Sequence, residues 1–231
     1  MRRVGLDGRL LSAAKFVRAE SVLADIGTDH GYLPVFLLSE GRVRRAVLAD
    51  INDGPLRSAE ENVREAGLTH LCELRLTDGC RELCGMGITD YAVCGMGGEL
   101  IADIIEHAPH LRDENVRLIL QPMSKQAHLR AYLASSGFRI VGERYSSEGG
   151  KHYVCICAEY RGVSRELTPL EAELGAPLFY PEERDSYVGY LSGKLASYRR
   201  ALRGKLRGGE PCALERELVA ALEGVLKEYG N

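Results

Sequence analysis

None of the seven cysteines stands in a C-x-x-C pair, and their number is odd. A metal knuckle and a disulfide framework are therefore both poor readings, and the cysteines are expected as reduced, mostly buried thiols with no metal site. No apolar run is long enough for a signal peptide or a membrane span, so a soluble, cytoplasmic protein is expected. Charge of one sign is also missing: 30 Lys and Arg stand against 33 Asp and Glu, a formal net charge of -3. Any nucleic-acid partner must then be held by local basic patches and not by bulk charge. With 231 residues, 45% of them hydrophobic, there is enough chain for one good core plus an appendage.

One more absence is informative. The apolar run Val22-Leu23-Ala24 leads into Asp25-Ile-Gly-Thr-Asp-His-Gly-Tyr-Leu-Pro34, a carboxylate followed by glycines and a helix-like segment. That is how an α/β protein builds a nucleotide-sized pocket. Yet the two-residue glycine spacing of a dinucleotide fingerprint is not there: Gly27 and Gly31 are four apart, with Asp29 and His30 between them. A carboxylate aimed at a pyrophosphate repels it, so a ligand with an uncharged phosphate or a cationic ligand is the better guess. S-adenosylmethionine is such a ligand.

Taken in order, the chain reads as an amphipathic helix over residues 6 to 18, carrying Asp7 and Arg9 near its start, and then as strands alternating with helices. Strands are expected at Val22 to Ile26, Ala46 to Ala49, Cys72 to Leu76, Tyr91 to Cys94 and Val116 to Leu120, with helices at Leu33 to Ser39, Leu56 to Ala66, Glu99 to His107 and Lys125 to Ser136. Arg139 to Glu143 and Tyr153 to Glu159 follow one another with no helix between them, so they should pair as an antiparallel hairpin at one sheet edge. Seven strands with that ending make the class I methyltransferase architecture, a Rossmann-like sheet.

Ligands collect at the carboxyl ends of such strands. Asp50, ending the second strand, is the first candidate for the ribose hydroxyls, with Asn52 beside it, while Asp53 reads as a helix cap. Asp78, beside Gly79, either accepts from the exocyclic amine of an adenine or caps the next turn. Gly95-Met96-Gly97-Gly98 implies close backbone approach or a tight strand-to-helix turn, and Met96 is either a soft floor for a flat base or a core methionine.

Beyond about residue 162 the pattern changes. Pro169, Gly175, Pro177 and Pro181 break the next stretch into a linker, followed by two helical segments, Glu182 to Leu206 and Cys212 to Tyr229. Each carries an apolar stripe, so an antiparallel helical hairpin close to a short coiled coil is expected, one whose stripe needs a partner helix. Two domains follow: residues 1–162, and a helical hairpin over 163–231. From Lys194 to Arg207 every charged side chain is basic, and Arg199, Arg203 and Arg207 share one helix face. That face either contacts successive phosphates or is a solvated face balanced by Glu215, Glu217 and Glu223.

Asp25 to Pro34, Leu48-Ala-Asp-Ile-Asn-Asp-Gly-Pro-Leu-Arg-Ser-Ala59, Thr77-Asp78-Gly79, Gly95-Met-Gly-Gly-Glu-Leu-Ile101 and Leu118-Ile-Leu-Gln-Pro122 together resemble the bacterial TrmK-type tRNA (adenine-22, N1)-methyltransferases. The resemblance covers nearly the whole chain. It implies methyl transfer from S-adenosylmethionine to N1 of adenine 22 in the D-arm of tRNA, with the C-terminal hairpin helping to hold the tRNA. Met123 departs from it, since relatives commonly carry asparagine there, and Gln121 remains as the amide of that segment.

N1 lies on the Watson–Crick edge, so the target base must be turned out of its setting before a methyl can reach it. Its lone pair is already nucleophilic, and attack leaves a cationic base; positioning and a nearby carboxylate suffice. Asp29 is the candidate carboxylate, with His30 as a base, as a partner of Asp29, or as a loop histidine packed under the turn. Tyr32 either stacks on the adenine or lids the turn. Asp25, Gly27, Gly31, Asp50, Asn52, Asp78, Gly79 and Gly95 are the expected cofactor contacts. Tyr32, Met96, Gln121, Arg9, Lys151, Arg199, Arg203 and Arg207 are the expected substrate contacts. The competing readings are a methyltransferase of another RNA, of DNA or of a small molecule, and a degenerate fold that binds RNA without chemistry.

Overall fold

A computed structural model describes residues 5–175 and 180–229; Pro177 of the expected linker lies outside the described residues. Seven strands form one sheet: β1 (Ser21–Ile26), β2 (Val43–Asp50), β3 (Cys72–Leu76), β4 (Asp90–Gly97), β5 (Arg117–Ser124), β6 (Phe138–Glu148) and β7 (Lys151–Tyr160). Their order is β3-β2-β1-β4-β5-β7-β6. The first five are parallel, and β7 runs antiparallel to both β5 and β6. The chain reverses direction across the sheet between β1 and β4, the point at which doubly wound folds open a crevice.

Alternation along the strands sends side chains into two apolar layers. Val22, Ala24 and Ile26 of β1 pack into one, under α4 (Gly98–Glu106) and α5 (Gln126–Ser135). Leu23 enters the other, with α1 (Gly8–Ala14), α2 (Tyr32–Ser39) and α3 (Asp53–Glu65). The first helix starts close to where its periodicity suggests, with the Asp7 carboxylate capping it by accepting from the Leu10 N–H at 2.8 Å, but it ends earlier, at Ala14. Asp53 is the first residue of α3 and not its cap; it pairs with Arg57 at 2.6 Å.

Part of the expected linker is itself helical, α6 (Pro169–Leu174). Thr168 and Glu171 form a reciprocal capping box there, and Pro169 occupies the first turn, where its missing N–H costs nothing. The hairpin follows as α7 (Arg184–Gly208) and α8 (Ala213–Tyr229). Its stripe does not depend on a partner helix alone: Tyr187, Tyr190, Leu191 and Leu195 are buried in the same layer as Tyr145, Val154 and Ile156 of β6 and β7. Helix α8 packs along α7 as well, from its first turn, where the Tyr187 and Tyr229 rings meet at 5.2 Å between centroids.

The joint between sheet and hairpin is polar and closed to water. The guanidinium of Arg130, fully buried, donates to both oxygens of Glu143 at 2.6 and 3.1 Å and to the Ala172 carbonyl at 2.9 Å. Tyr145 donates to Glu143 at 2.6 Å, and the Tyr190 hydroxyl lies 3.4 Å from Arg130. Elements α5, β6, α6 and α7 thus meet on one ion pair. All seven cysteines are free, but only Cys80, Cys155 and Cys157 are buried, fewer than expected. No described helix is long and apolar enough to cross a membrane.

Candidate active site

A cavity of about 560 Å³ opens where β1, β2 and β4 end. Its wall begins at Asp25, the next-to-last residue of β1, whose carboxylate accepts from the Thr28 hydroxyl at 2.7 Å. Burial pushes the Asp25 carboxyl up to about 6; the Thr28 hydrogen bond pulls against that, and the neighbouring Asp50 charge adds to it. The turn is tied to β2 by the N–H groups of Gly27 and Thr28, which both donate to the Ala49 carbonyl at 2.8 and 3.0 Å. Gly27 has φ +71°, and a Cβ there would stand 2.0 Å from the Met96 methyl, so Met96 folds down onto this turn from the β4 side.

Gly31 has a different reason. At φ +66° it starts α2, and a Cβ would meet Leu48 at 2.8 Å and Ala59 at 3.3 Å, so it lets the helix sit close on β2 and α3. Between the two glycines, Asp29 projects outward with its side chain 79% exposed, 3.4 Å from Nε2 of His30. The His30 ring stacks on Tyr32 at 5.1 Å between centroids, and its carbonyl is held by Asn62 at 3.0 Å. Asp50 ends β2 and takes the Asn52 N–H at 2.7 Å on one oxygen.

The cavity brings together Arg9, Asp25, Gly27, Asp29, His30, Gly31, Tyr32, Asp50, Asn52, Gly95 and Met96, all expected from sequence. Asp78 and Gly79 are not part of its lining. They follow β3, the edge strand beyond β2, in a turn that packs under α4, where a Cβ on Gly79 would meet Ile104 at 3.4 Å. Gln121 is fully buried and does not face a substrate: its Oε1 accepts from the Gly95 N–H at 3.0 Å and from Arg9 at 3.3 Å. Arg9 is gripped on its other side by Asp7, at 2.8 and 3.2 Å, which fixes the guanidinium in the cavity wall and not on an outer phosphate-binding surface.

Sequence reasoning passed over several lining residues. Asp7 was readable only as a helix-face charge, although it both caps α1 and holds Arg9. Ile51, 61% exposed, stands at the rim beside Asp50, where its apolar side chain offers a flat base a surface. Burial, with Asp25 adding to it, pushes the Cys94 thiol well above its ordinary range, so this lining cysteine is not a nucleophile. Among the described residues the lining therefore holds four carboxylates, Asp7, Asp25, Asp29 and Asp50, against one guanidinium. Among the described residues no cluster of histidine, cysteine and acidic side chains could hold a metal ion.

The other expected contacts lie elsewhere. Lys151 begins β7 on a second cleft, of about 910 Å³, between the sheet domain and α7. Arg199 is paired with Glu223 at 2.7 Å and Lys205 with Glu215 at 2.7 Å, so α8 neutralises part of the basic run. Arg203 and Arg207 are exposed and carry no ion pair among the described residues.

Residues 6–156 match the family model of a methyltransferase domain. A tRNA (adenine(22)-N(1))-methyltransferase of Bacillus subtilis is 35% identical over 160 residues, 69% of this chain and 67% of that protein. The chain belongs to this methyltransferase family. A Streptococcus pneumoniae protein, a candidate tRNA (m1A22) methyltransferase solved in complex with S-adenosyl-L-methionine, superposes with a TM-score of 0.82 at 30% identity, over 96% of this chain and all (100%) of that one. The crystal structure of the Bacillus subtilis m1A22 tRNA methyltransferase TrmK gives 0.77 at 26% identity, over 99% and 100% of the two chains. Both likenesses span the helical hairpin as well as the methyltransferase sheet.

Proposed function

We infer that the protein transfers a methyl group from S-adenosylmethionine to N1 of adenine 22 in tRNA. The observation that carries this reading is the conjunction of family membership with an acidic cavity at the strand ends. A donor bearing a sulfonium and an ammonium group suits a wall of four carboxylates, and its single carboxylate suits the one guanidinium, Arg9. When bound, the donor supplies an electrophilic methyl group. The chain's own residues do the rest. Asp50 offers its free oxygen to ribose hydroxyls, Ile51 and Met96 offer apolar surface to a base, and Asp25 faces the ammonium. Gly27, Gly31, Asn52 and Gly95 give the backbone room that a close-fitting ligand needs.

On the outer side, Tyr32 stacks on the turned-out adenine and Asp29, steadied by His30, favours the positive charge that the base acquires on methylation. N1 needs no base to attack, so proton loss from the exocyclic amine follows transfer. Residues 1–162 act as the catalytic domain, and residues 163–231, with Arg203 and Arg207 exposed, as the tRNA-holding part. The protein works as a monomer, in a reducing cytoplasm that keeps its free cysteines as thiols. The deciding experiment incubates the protein with tritiated donor and tRNA transcripts differing only at base 22. Label should enter the adenine-22 transcript alone, and equal labelling after replacement of that base refutes the site.

A further inference from the structure

The second cleft has a shape that packing does not explain. One wall is α7, where Gly189, Gly193, Ser197 and Ala201 recur every four residues and leave a smooth strip beside Tyr190, Lys194 and Tyr198. Gly189 has a structural reason: a Cβ there would lie 2.1 Å from the His152 ring. Gly193 has none, since nothing lies within 4 Å of where its Cβ would be. A glycine inside a 25-residue helix weakens it relative to alanine. Its effect here is to keep the cleft open.

The facing wall is basic. Lys125 and Lys151 stand on it; Lys151 carries no ion pair among the described residues, and Lys125 meets only the exposed Glu99 at 3.3 Å. The one acidic lining residue, Glu173, is already engaged by Lys194 and by the Tyr198 hydroxyl. The cleft also abuts the cofactor cavity. Tyr153 and Met123 line the cleft, and Arg9, which lines the cavity, lies 5.7 Å from the Tyr153 ring centroid and donates to the Met123 sulfur at 3.7 Å.

We propose that this cleft holds the sugar–phosphate backbone of the RNA strand flanking the target adenine, threaded between α7 and the tip of the β6–β7 hairpin. The proposal rests on the RNA methyltransferase reading and names where that substrate runs. About 910 Å³ lies within the range of small-ligand pockets, so a short stretch of one strand fits and a duplex does not. Net positive walls suit phosphates, Tyr153 and Tyr198 offer faces to bases, and the smooth helix face lets the strand lie close to the backbone.

Gly193→Leu tests it, because the leucine enters open space and favours the helix. Binding of a D-arm RNA hairpin, followed by fluorescence anisotropy, should weaken at least tenfold, while S-adenosylmethionine affinity by titration calorimetry stays at the wild-type value. Lys151→Glu, an exposed change that spares the fold, should weaken RNA binding several-fold and flatten its salt dependence. Wild-type RNA affinity in Gly193→Leu overturns the proposal; if that variant does not fold, wild-type affinity and salt dependence in Lys151→Glu do so. Neither readout depends on which base is methylated, so a failure at base 22 and a failure of the cleft remain distinguishable.

Discussion

The two openings of the molecule are built in opposite ways. The cofactor cavity is acidic, and its wall is built around one turn: Asp25 to Leu33 contribute the largest single share, the ends of β2 and β4 and the start of α1 supply the rest, and backbone hydrogen bonds to Ala49 fix the turn. The cleft beside α7 is basic, and it exists only because a helix that begins 24 residues beyond β7 returns to the sheet. A small cation calls for a rigid pocket of short-range construction. A long polyanion calls for a wall that another part of the chain brings up. The first should survive damage to the hairpin; the second should not.

Breaking the joint tests that difference with the largest effect. Arg130→Leu leaves Glu143 buried and charged without its partner, which should destabilise the protein by about 3–5 kcal/mol in denaturant unfolding. At temperatures where the variant stays folded, RNA affinity should fall while S-adenosylmethionine affinity holds. Replacing both partners, Arg130→Leu with Glu143→Leu, should recover much of the stability, since no unpaired charge remains. Equal losses of cofactor and RNA binding in the single variant would show that the two openings are not independent.

A smaller effect sharpens the acidic side. The Asp25 carboxyl is raised by burial to about 6 from an ordinary 3.8, with Thr28 opposing and Asp50 adding to the rise. An acid raised in the folded state binds its proton more tightly there than in the unfolded chain. Its contribution to stability is therefore complete below about pH 4 and lost as pH rises through 6, at most about 3 kcal/mol for a shift of that size. A cationic ligand favours the ionised form, so donor affinity should rise up to tenfold per pH unit below 6 and level off above it. Asp25→Asn should remove both dependences, and calorimetric titrations between pH 5 and 8 read them. An affinity that stays flat across that range in the wild type takes Asp25 away from the ammonium group.

The same contrast explains what could be read in the sequence. The glycine turn, Asp50 and the seven strands with their antiparallel end were legible because short-range chemistry writes them: apolar strands, a carboxylate at a strand end, glycines where backbone must reverse. Asp78 and Gly79 looked equivalent in the chain, but β3 is the edge strand and their turn packs under α4. Helix α6 was hidden by Pro169, which reads as a breaker in the middle of a segment and as a starter after a capping threonine. The apolar stripe of α7 was visible, yet periodicity does not say whether a helix or a sheet covers it. Gln121 looked like a substrate contact because sequence cannot show that both its partners, Gly95 and Arg9, are already at hand.

Asp29 stands between the two openings, and it gives the finest test of where one ends and the other begins. Its side chain is 79% exposed at the rim and pairs with His30, so removing it should leave the fold and the three inner carboxylates of the donor's wall, Asp7, Asp25 and Asp50, in place. Asp29→Ala should lower single-turnover methyl transfer at least tenfold, about 1.4 kcal/mol of transition-state stabilisation, with donor affinity nearly unchanged. Asp29→Asn separates the possible reasons. If the carboxylate acts by its charge on a base becoming cationic, the amide should be as slow as alanine; if it acts by accepting a hydrogen bond, the amide oxygen should restore most of the rate. A single-turnover rate unchanged in both variants removes Asp29 from the reaction and leaves the outer side of the turn to Tyr32 and His30.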